Sequence, residues 1–286
     1  MVKIHGICLV KNEEDVVAQT LSHASQFCHK IYVFDTGSTD GSWEKVQKIN
    51  NSVVVPFRHE EVPFYVGLRA QVFNAIRSSC SIGDWIYILD ADELLAEDPR
   101  KAIKIAEREG AEQINTLQYN FYFTDKDLEA YHAGNDSREN PITQRRRYYR
   151  FVNIEQRLFR VSEDLVWSES VDSLHPRGYM IPMRDKKLKK SSYKIPNRHY
   201  QYRDPEQIRL RLETRQAARS VNQNNFLHYK FLDEGVDWTK SIVPSEWLHY
   251  YKNNRQFEFT ARERFKMFKE RLGSRDFFRF DFLAGT

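Results

Sequence analysis

From Ile4 to Phe123 the chain alternates short apolar runs with segments of helical period, and few folds accept that pattern. Ile4 to Val10, Ile31 to Phe34, Val53 to Val55, Trp85 to Leu89 and Ile114 to Phe123 read as strands, the first buried on both faces. Val17, Leu21 and Ala24 mark a helix opened by Glu13, Glu14 and Asp15, whose charge suits the positive end of a helix dipole. Trp43, Val46 and Ile49 mark a second helix, and Leu68, Val72 and Ile76 a third. Pro99 begins a fourth, where its missing N–H costs nothing, while Pro56 is expected to stop the third strand. Such alternation implies right-handed crossovers and a mostly parallel, Rossmann-type sheet flanked by helices: an α/β fold.

The chemistry-bearing residues gather where these strands end. In an open parallel sheet that edge is where ligands bind. Asp90-Ala91-Asp92-Glu93 follows an apolar strand, and in extended chain Asp90 and Asp92 project from one side. Two carboxylates there repel each other and lose hydration, and a hard divalent cation bridging to a diphosphate removes both penalties. The bland alternative is a solvated turn with capping acids. Asp35 closes the second strand and opens Asp35-Thr36-Gly37-Ser38-Thr39-Asp40-Gly41-Ser42. That segment is also a serviceable strand-to-helix turn, with glycines for unusual backbone angles and hydroxyl and acid groups for capping. Lys11, Asn12 and Glu13 close the first strand at the same edge, able to line a base and ribose or merely to start a helix. Arg69, in the third helix, could reach a diphosphate or lie exposed on its surface.

Beyond Thr124 the pattern changes. Residues 125–148 are polar and turn-rich and read as a long loop. Gln156 to Val161 and Leu165 to Trp167 read as two short strands of a hairpin. A lysine-bearing loop follows, Asp204-Pro205 opens a helix reaching about Val221, and the tail from Glu246 to Phe282 reads as one or two further helices. The expected organisation is an α/β half at 1–124, loops and strands completing that domain at 125–203, and a helical region at 204–286.

Bulk properties narrow the classes. A chain of 286 residues can bury a core without disulfides, and Cys8, Cys28 and Cys80 are odd in number and lack metal-ligand spacing. Buried thiols in a reducing compartment are the expectation. A net charge of +4 is too small to argue for nucleic acid, and no nucleic-acid partner is expected. Arg145, Arg146, Arg147 and Arg150 form one basic cluster, and Lys186, Lys187, Lys189, Lys190 and Lys194 another. Each is either a solvated loop or a contact for phosphates or an anionic membrane. Arg262, Arg264, Lys266, Lys269 and Arg271 alternate with Phe265, Met267 and Phe268, which suits either packing with a solvated basic face or rest on an anionic membrane. No leader or membrane-spanning stretch is read, so the expected location is cytoplasmic, with the inner membrane face as a peripheral contact.

The order KNEED, FDTGSTDGS, an Arg-bearing helix and YILDADE resembles the family 2 glycosyltransferases of the GT-A fold, especially bacterial enzymes that build lipopolysaccharide cores and surface glycans. The resemblance is specific over residues 1 to about 95, weaker over 145–215, and absent beyond. It implies a nucleoside-diphosphate sugar across the strand ends and a divalent cation, Mn²⁺ or Mg²⁺. Asp35 would contact the base, Asp90 the ribose or metal, and Asp92 the metal. Lys11, Asn12 and Glu13 would shape the nucleotide pocket, and His199, in RHYQYRDPE, would complete the metal or diphosphate site. The acceptor would be a glycan or lipid-linked sugar, attacked with inversion.

One departure stands out. Relatives commonly read Arg-Leu-Phe-Arg, a Trp, then Val-His-Glu; here Arg157-Leu158-Phe159-Arg160 and Trp167 are followed by Val171-Asp172-Ser173. Asp172 is the first candidate for the catalytic base and Glu169 the second. The missing His-Glu keeps open an inactive, sugar-nucleotide-binding partner protein. A nucleotidyltransferase is the remaining alternative, but Asn12, Glu13, Glu14 and Asp15 occupy the place where that class holds a basic, glycine-rich phosphate loop.

Overall fold

The computed structural model describes residues 2–65, 67–169, 188–221, 232, 234–252 and 256–271. They fall into two compact units: Met1–Leu117 with Glu155–Asn197, and Gln118–Ile154 with Arg198–Thr286.

The first unit is built around β1 (Ile4–Val10), every residue of which is buried. It lies between β2 (Lys30–Asp35) and β4 (Trp85–Asp90), parallel to both, and β3 (Val54–His59) continues the parallel set beyond β2. On the other side of β4 comes β7 (Tyr148–Arg160), antiparallel, followed in the sheet by β6 (Gln113–Phe121), β8 (Lys190–His199) and β5 (Glu93–Leu95).

Period-two alternation divides these strands between two apolar layers. Ile4, Cys8 and Val10 of β1, with Trp85, Tyr87 and Leu89 of β4, face one layer. There they meet α1 (Val17–Ala24), α2 (Ser42–Ile49) and α4 (Pro99–Glu109) through Leu21, Val46, Ile103 and Ala106. Ile7 and Leu9, with Ile86 and Ile88, face the other layer, covered by Leu68, Val72, Phe73 and Ile76 of α3 (Gly67–Ile76). This is the mixed α/β, GT-A-like architecture that the motif order implied, and helices α7 (Pro205–Val221) and α8 (Ala261–Arg271) follow towards the C-terminus. The three cysteines are free, and burial pushes all three thiols above their ordinary range.

Several local expectations need correction. Helix α1 begins at Val17, so Glu13 to Asp15 form the preceding turn, with the Glu13 carbonyl accepting from the Val16 and Val17 N–H groups. Pro56 does not end β3: it pairs with Val33 on an edge strand, where the missing N–H breaks no ladder. The polar stretch after Thr124 is not simply a loop. Thr124 and Asp127 form a reciprocal capping box that starts α5 (Asp125–His132), and α6 (Ile142–Arg145) follows. Of the expected hairpin, only the first arm is a strand, and it is the end of β7; the second is reduced to a bridge at Val166. Lys190 and Lys194 lie in β8 rather than a loop, and Lys186 and Lys187 fall outside the described residues.

In the second unit, Arg145 and Arg146 are neither solvated nor available to phosphate. Arg145 Nε donates to Asp136 Oδ1 at 2.7 Å, and its Nη2 lies 3.2 Å from Asp204 Oδ2. Arg146 binds Asp136 and Asp127, donates through Nε to the Arg203 carbonyl at 2.7 Å, and packs over the Phe123 ring. Beside them the core is aromatic, with Tyr119 stacked on Phe257 and Phe121 on Tyr149.

Two predictions follow from this packing. Asp136→Ala takes one carboxylate from each guanidinium while Asp204 and Asp127 remain, so the loss should approach but not exceed the roughly 3–5 kcal/mol of a buried pair broken outright; urea unfolding that shows under about 1 kcal/mol refutes the network's role. In the first unit, His5 lies buried with Nε2 3.3 Å from Asp84 Oδ2, and burial holds its pKa below 6.5 despite that carboxylate. The folded chain therefore resists a proton that the unfolded chain accepts. The stability from neutral His5 is complete above pH 6.5 and declines as pH falls from there through the lowered value. His5→Gln should flatten this part of the profile in pH-dependent chemical unfolding, and an unchanged slope refutes it.

Candidate active site

The site stands on the carboxyl ends of the parallel strands of the first unit. Val10 pairs with Asp35 and Leu9 with Asp90, so the two acids end the strands on either side of β1. With neighbouring strands about 4.8 Å apart, their backbones lie about 10 Å from each other.

The loops after β1 and β2 are stitched together. Lys11 Nζ donates to the carbonyls of Thr36, at 3.2 Å, and Gly37. Asn12 sits at φ 56°, a left-handed position that Asn tolerates, and its Oδ1 accepts from the Thr39 N–H at 2.8 Å. The N–H groups of Asn12, Glu13 and Glu14 donate in turn to Ser38 Oγ, Ser42 Oγ and Asp40 Oδ2. Lys11 and Asn12 thus brace the loop that presents Asp35. Gly37 is required within it: φ is +88°, and a Cβ there would lie 2.8 Å from Glu61 Cα.

Asp35 is fully buried. Its Oδ1 accepts from the N–H groups of Gly37 at 2.9 Å and Ser38 at 2.7 Å, and it lies 3.1 Å from His59 Nδ1. Its Oδ2 is buried and has no hydrogen-bond partner among the described residues. A buried carboxylate oxygen in that state is costly unless a donor completes it, so it is an acceptor ready for a ligand N–H. His59 was not legible as a site residue: it reaches Asp35 only because β3 runs past Pro56 and pairs the two residues. Its ring stacks on Trp43, centroids 5.1 Å apart and planes 18° apart, which gives the site a flat aromatic flank.

The acidic segment is not extended. The chain turns at Ala91 and Asp92 between β4 and β5, so strand alternation does not orient Asp90 and Asp92. Asp90, its side chain 30% exposed, is held by Arg69 on Oδ1 and by Arg157 Nη2 on Oδ2 at 2.8 Å. Burial raises its pKa, the guanidiniums of Arg157 and Arg69 lower it, and the neighbouring charge of Asp92 raises it again; the guanidiniums prevail and the value falls to about 2. Arg69 is therefore a buried partner of Asp90, not an exposed helix residue.

Arg157, 3% exposed, also binds the buried Glu93 and lies 2.6 Å from Glu155, while Asn197 Nδ2 donates to Glu93 Oε2 at 2.7 Å. Its role as a hub was missed, although it opens the Arg-Leu-Phe-Arg run; nothing in that run says which acids it will meet. Arg157 thus gathers Asp90, Glu93 and Glu155 about one guanidinium, while Arg69 shares Asp90.

Among the described residues no three His, Cys, Asp or Glu side chains form a ready metal cluster. That does not conflict with a cation held by one or two carboxylates and the phosphates of a substrate, the usual arrangement for Mg²⁺. The hard carboxylate oxygens of the Asp90–Asp92 turn are donors of the kind such an ion takes, and both oxygens of Asp90 are engaged by arginine.

His199 ends β8 in the second unit, Nδ1 2.9 Å from Asn120 Oδ1. Glu169 is exposed and its Oε1 accepts from Asn74 Nδ2 at 2.7 Å. The chain at Glu169 approaches α3 so closely that a Cβ at Gly67 would lie 2.3 Å from the Glu169 carbonyl oxygen. Asp172 lies outside the described residues.

Among solved structures, mannose-6-phosphate isomerase from Helicobacter pylori shares 11% identity, with 56% of this chain and 71% of that chain covered and a TM-score of 0.32. A likeness at that level carries no argument. No curated protein matches. The family model described as Glycosyl transferase family 2 matches residues 7–162, more than half of the chain and the whole run of strands that carries Asp35, Asp90, Asp92 and Arg157. The chain belongs to glycosyltransferase family 2.

Proposed function

We propose that this chain transfers a hexosyl group, with inversion, from a nucleoside-diphosphate sugar to a glycan or lipid-linked acceptor, and that transfer depends on Mn²⁺ or Mg²⁺. The observation that carries this reading is the buried Oδ2 of Asp35, without a hydrogen-bond partner among the described residues, at the strand-end edge about 10 Å from the backbone of Asp90.

In this reading Asp35 accepts an N–H of the base beside the Trp43–His59 pair, with Lys11, Asn12 and Glu13 holding the loop. Asp90 is kept ionised by Arg69 and Arg157 and accepts from the ribose hydroxyls. Asp92 holds the divalent cation. When bound, the cation supplies Lewis-acid stabilisation of charge on the departing diphosphate. The acceptor hydroxyl must lose a proton as its oxygen attacks the anomeric carbon, and Asp172, or else Glu169, takes it.

Calorimetric titration of the full chain with nucleoside diphosphates, with and without Mn²⁺, separates these roles. Asp35→Asn removes a charged acceptor, and such bonds are worth about 1.5–3 kcal/mol, so nucleotide affinity should fall at least about tenfold whether or not metal is present. Asp92→Asn should abolish only the gain that metal gives. Wild-type affinity in either variant, under the condition named for it, removes that residue from the site. Asp172→Asn should bind donor normally and turn over at least ~100-fold more slowly in a sugar-transfer or donor-hydrolysis assay. Unchanged turnover there transfers the role to Glu169. Metal-dependent binding with no turnover by the wild-type chain supports the inactive-partner reading instead.

A further inference from the structure

Over Ala261–Phe268, helix α8 of the second unit is turned inside out. Its inward side is polar: Glu263 is buried, accepting from the Phe151 N–H at 3.1 Å and the Thr260 N–H at 2.7 Å and lying 3.1 Å from His249 Nε2. Lys266 Nζ donates to the Val152 carbonyl and sits over the Phe151 ring. The outward side carries the large apolar groups, with Phe265 56% and Phe268 55% exposed. Three residues apart, these two rings share one face of the helix. Arg262 and Arg264 are exposed as well. At 100° per residue Arg262 falls on one flank of the phenylalanine pair and Arg264 on the other, with Glu263 on the opposite side.

A helix meant for water would show the reverse arrangement. We propose that the outward face of α8 docks on an anionic lipid surface, its phenylalanines entering the interface and its flanking cations meeting the head groups. Charge selects this occupant over a second copy of the chain. Two copies meeting through this face would oppose cation to cation around the apolar contact, whereas an anionic bilayer offers apolar depth and negative charge together. Such a helix lies in the plane of the interface. Among the described residues no helix is long and apolar enough to cross a membrane. The inference goes beyond the transfer chemistry and does not depend on it.

Sedimentation of the full chain with vesicles of phosphatidylcholine, with and without phosphatidylglycerol, tests the proposal. The expected result is binding only where phosphatidylglycerol is present, weakening as salt is raised. The pair Phe265→Ser and Phe268→Ser should reduce partitioning at least about tenfold, since burying each ring contributes about 1.5–3 kcal/mol. The pair Arg262→Gln and Arg264→Gln should reduce it by about tenfold or more and lower the salt dependence. Both pairs are exposed, and unchanged thermal unfolding will show that they fold. Failure of the wild-type chain to bind anionic vesicles overturns the proposal, as does wild-type binding by the phenylalanine variant. A concentration-dependent dimer that the phenylalanine variant abolishes in velocity sedimentation also overturns it, in favour of a second copy.

Discussion

Everything at the candidate site depends on the parallel pairing of β1 with both of its neighbours. A strand buried on both faces can satisfy its backbone only through its two ladders, so its register with β2 and β4 is tightly held. That register sets Asp35 beside Val10 and Asp90 beside Leu9, one residue apart along the same edge. A one-residue slip in either ladder would turn that strand's side chains to the opposite layer and move its acid away from the edge.

Given that frame, the two acids are held for different work. Asp35 has one oxygen committed to the loop that follows it and one left without a donor among the described residues. Asp90 has both oxygens gripped by arginines and remains ionised despite burial and a neighbouring acid. The first arrangement suits recognition of a neutral N–H; the second maintains a fixed negative charge. Arg157 connects that charge to Glu93 and Glu155, so the acidic turn is braced from β7 as well as from α3.

Charge is handled differently in the second unit. Arg145 and Arg146 are consumed by internal carboxylates where the sequence alone suggested phosphate contacts or open solvent. Arg262 and Arg264 of α8 are exposed beside exposed phenylalanines. Counting basic residues along the chain therefore overstates the surface charge in one place and misses the apolar character of the other.

The sequence by itself determined the α/β class, the first-unit elements to within a few residues, and the edge on which Asp35 and Asp90 stand. These rest on local signals: apolar period, turn residues and the rule that sheet ligands bind at strand ends. Tertiary structure alone decided which partners the charges take. Arg157 is 67 residues from Asp90, and the union of Arg69, Arg157, Glu93 and Asp90 comes from strand order, which no periodicity records. His59 reached Asp35 because an edge strand tolerated a proline, and α5 arose in an apparent loop because a capping box outweighed polar composition. The orientation of α8 was hidden for the same reason. Its basic and apolar residues are evident in order, but which side faces inward depends on Glu263 finding donors on strands distant in the chain.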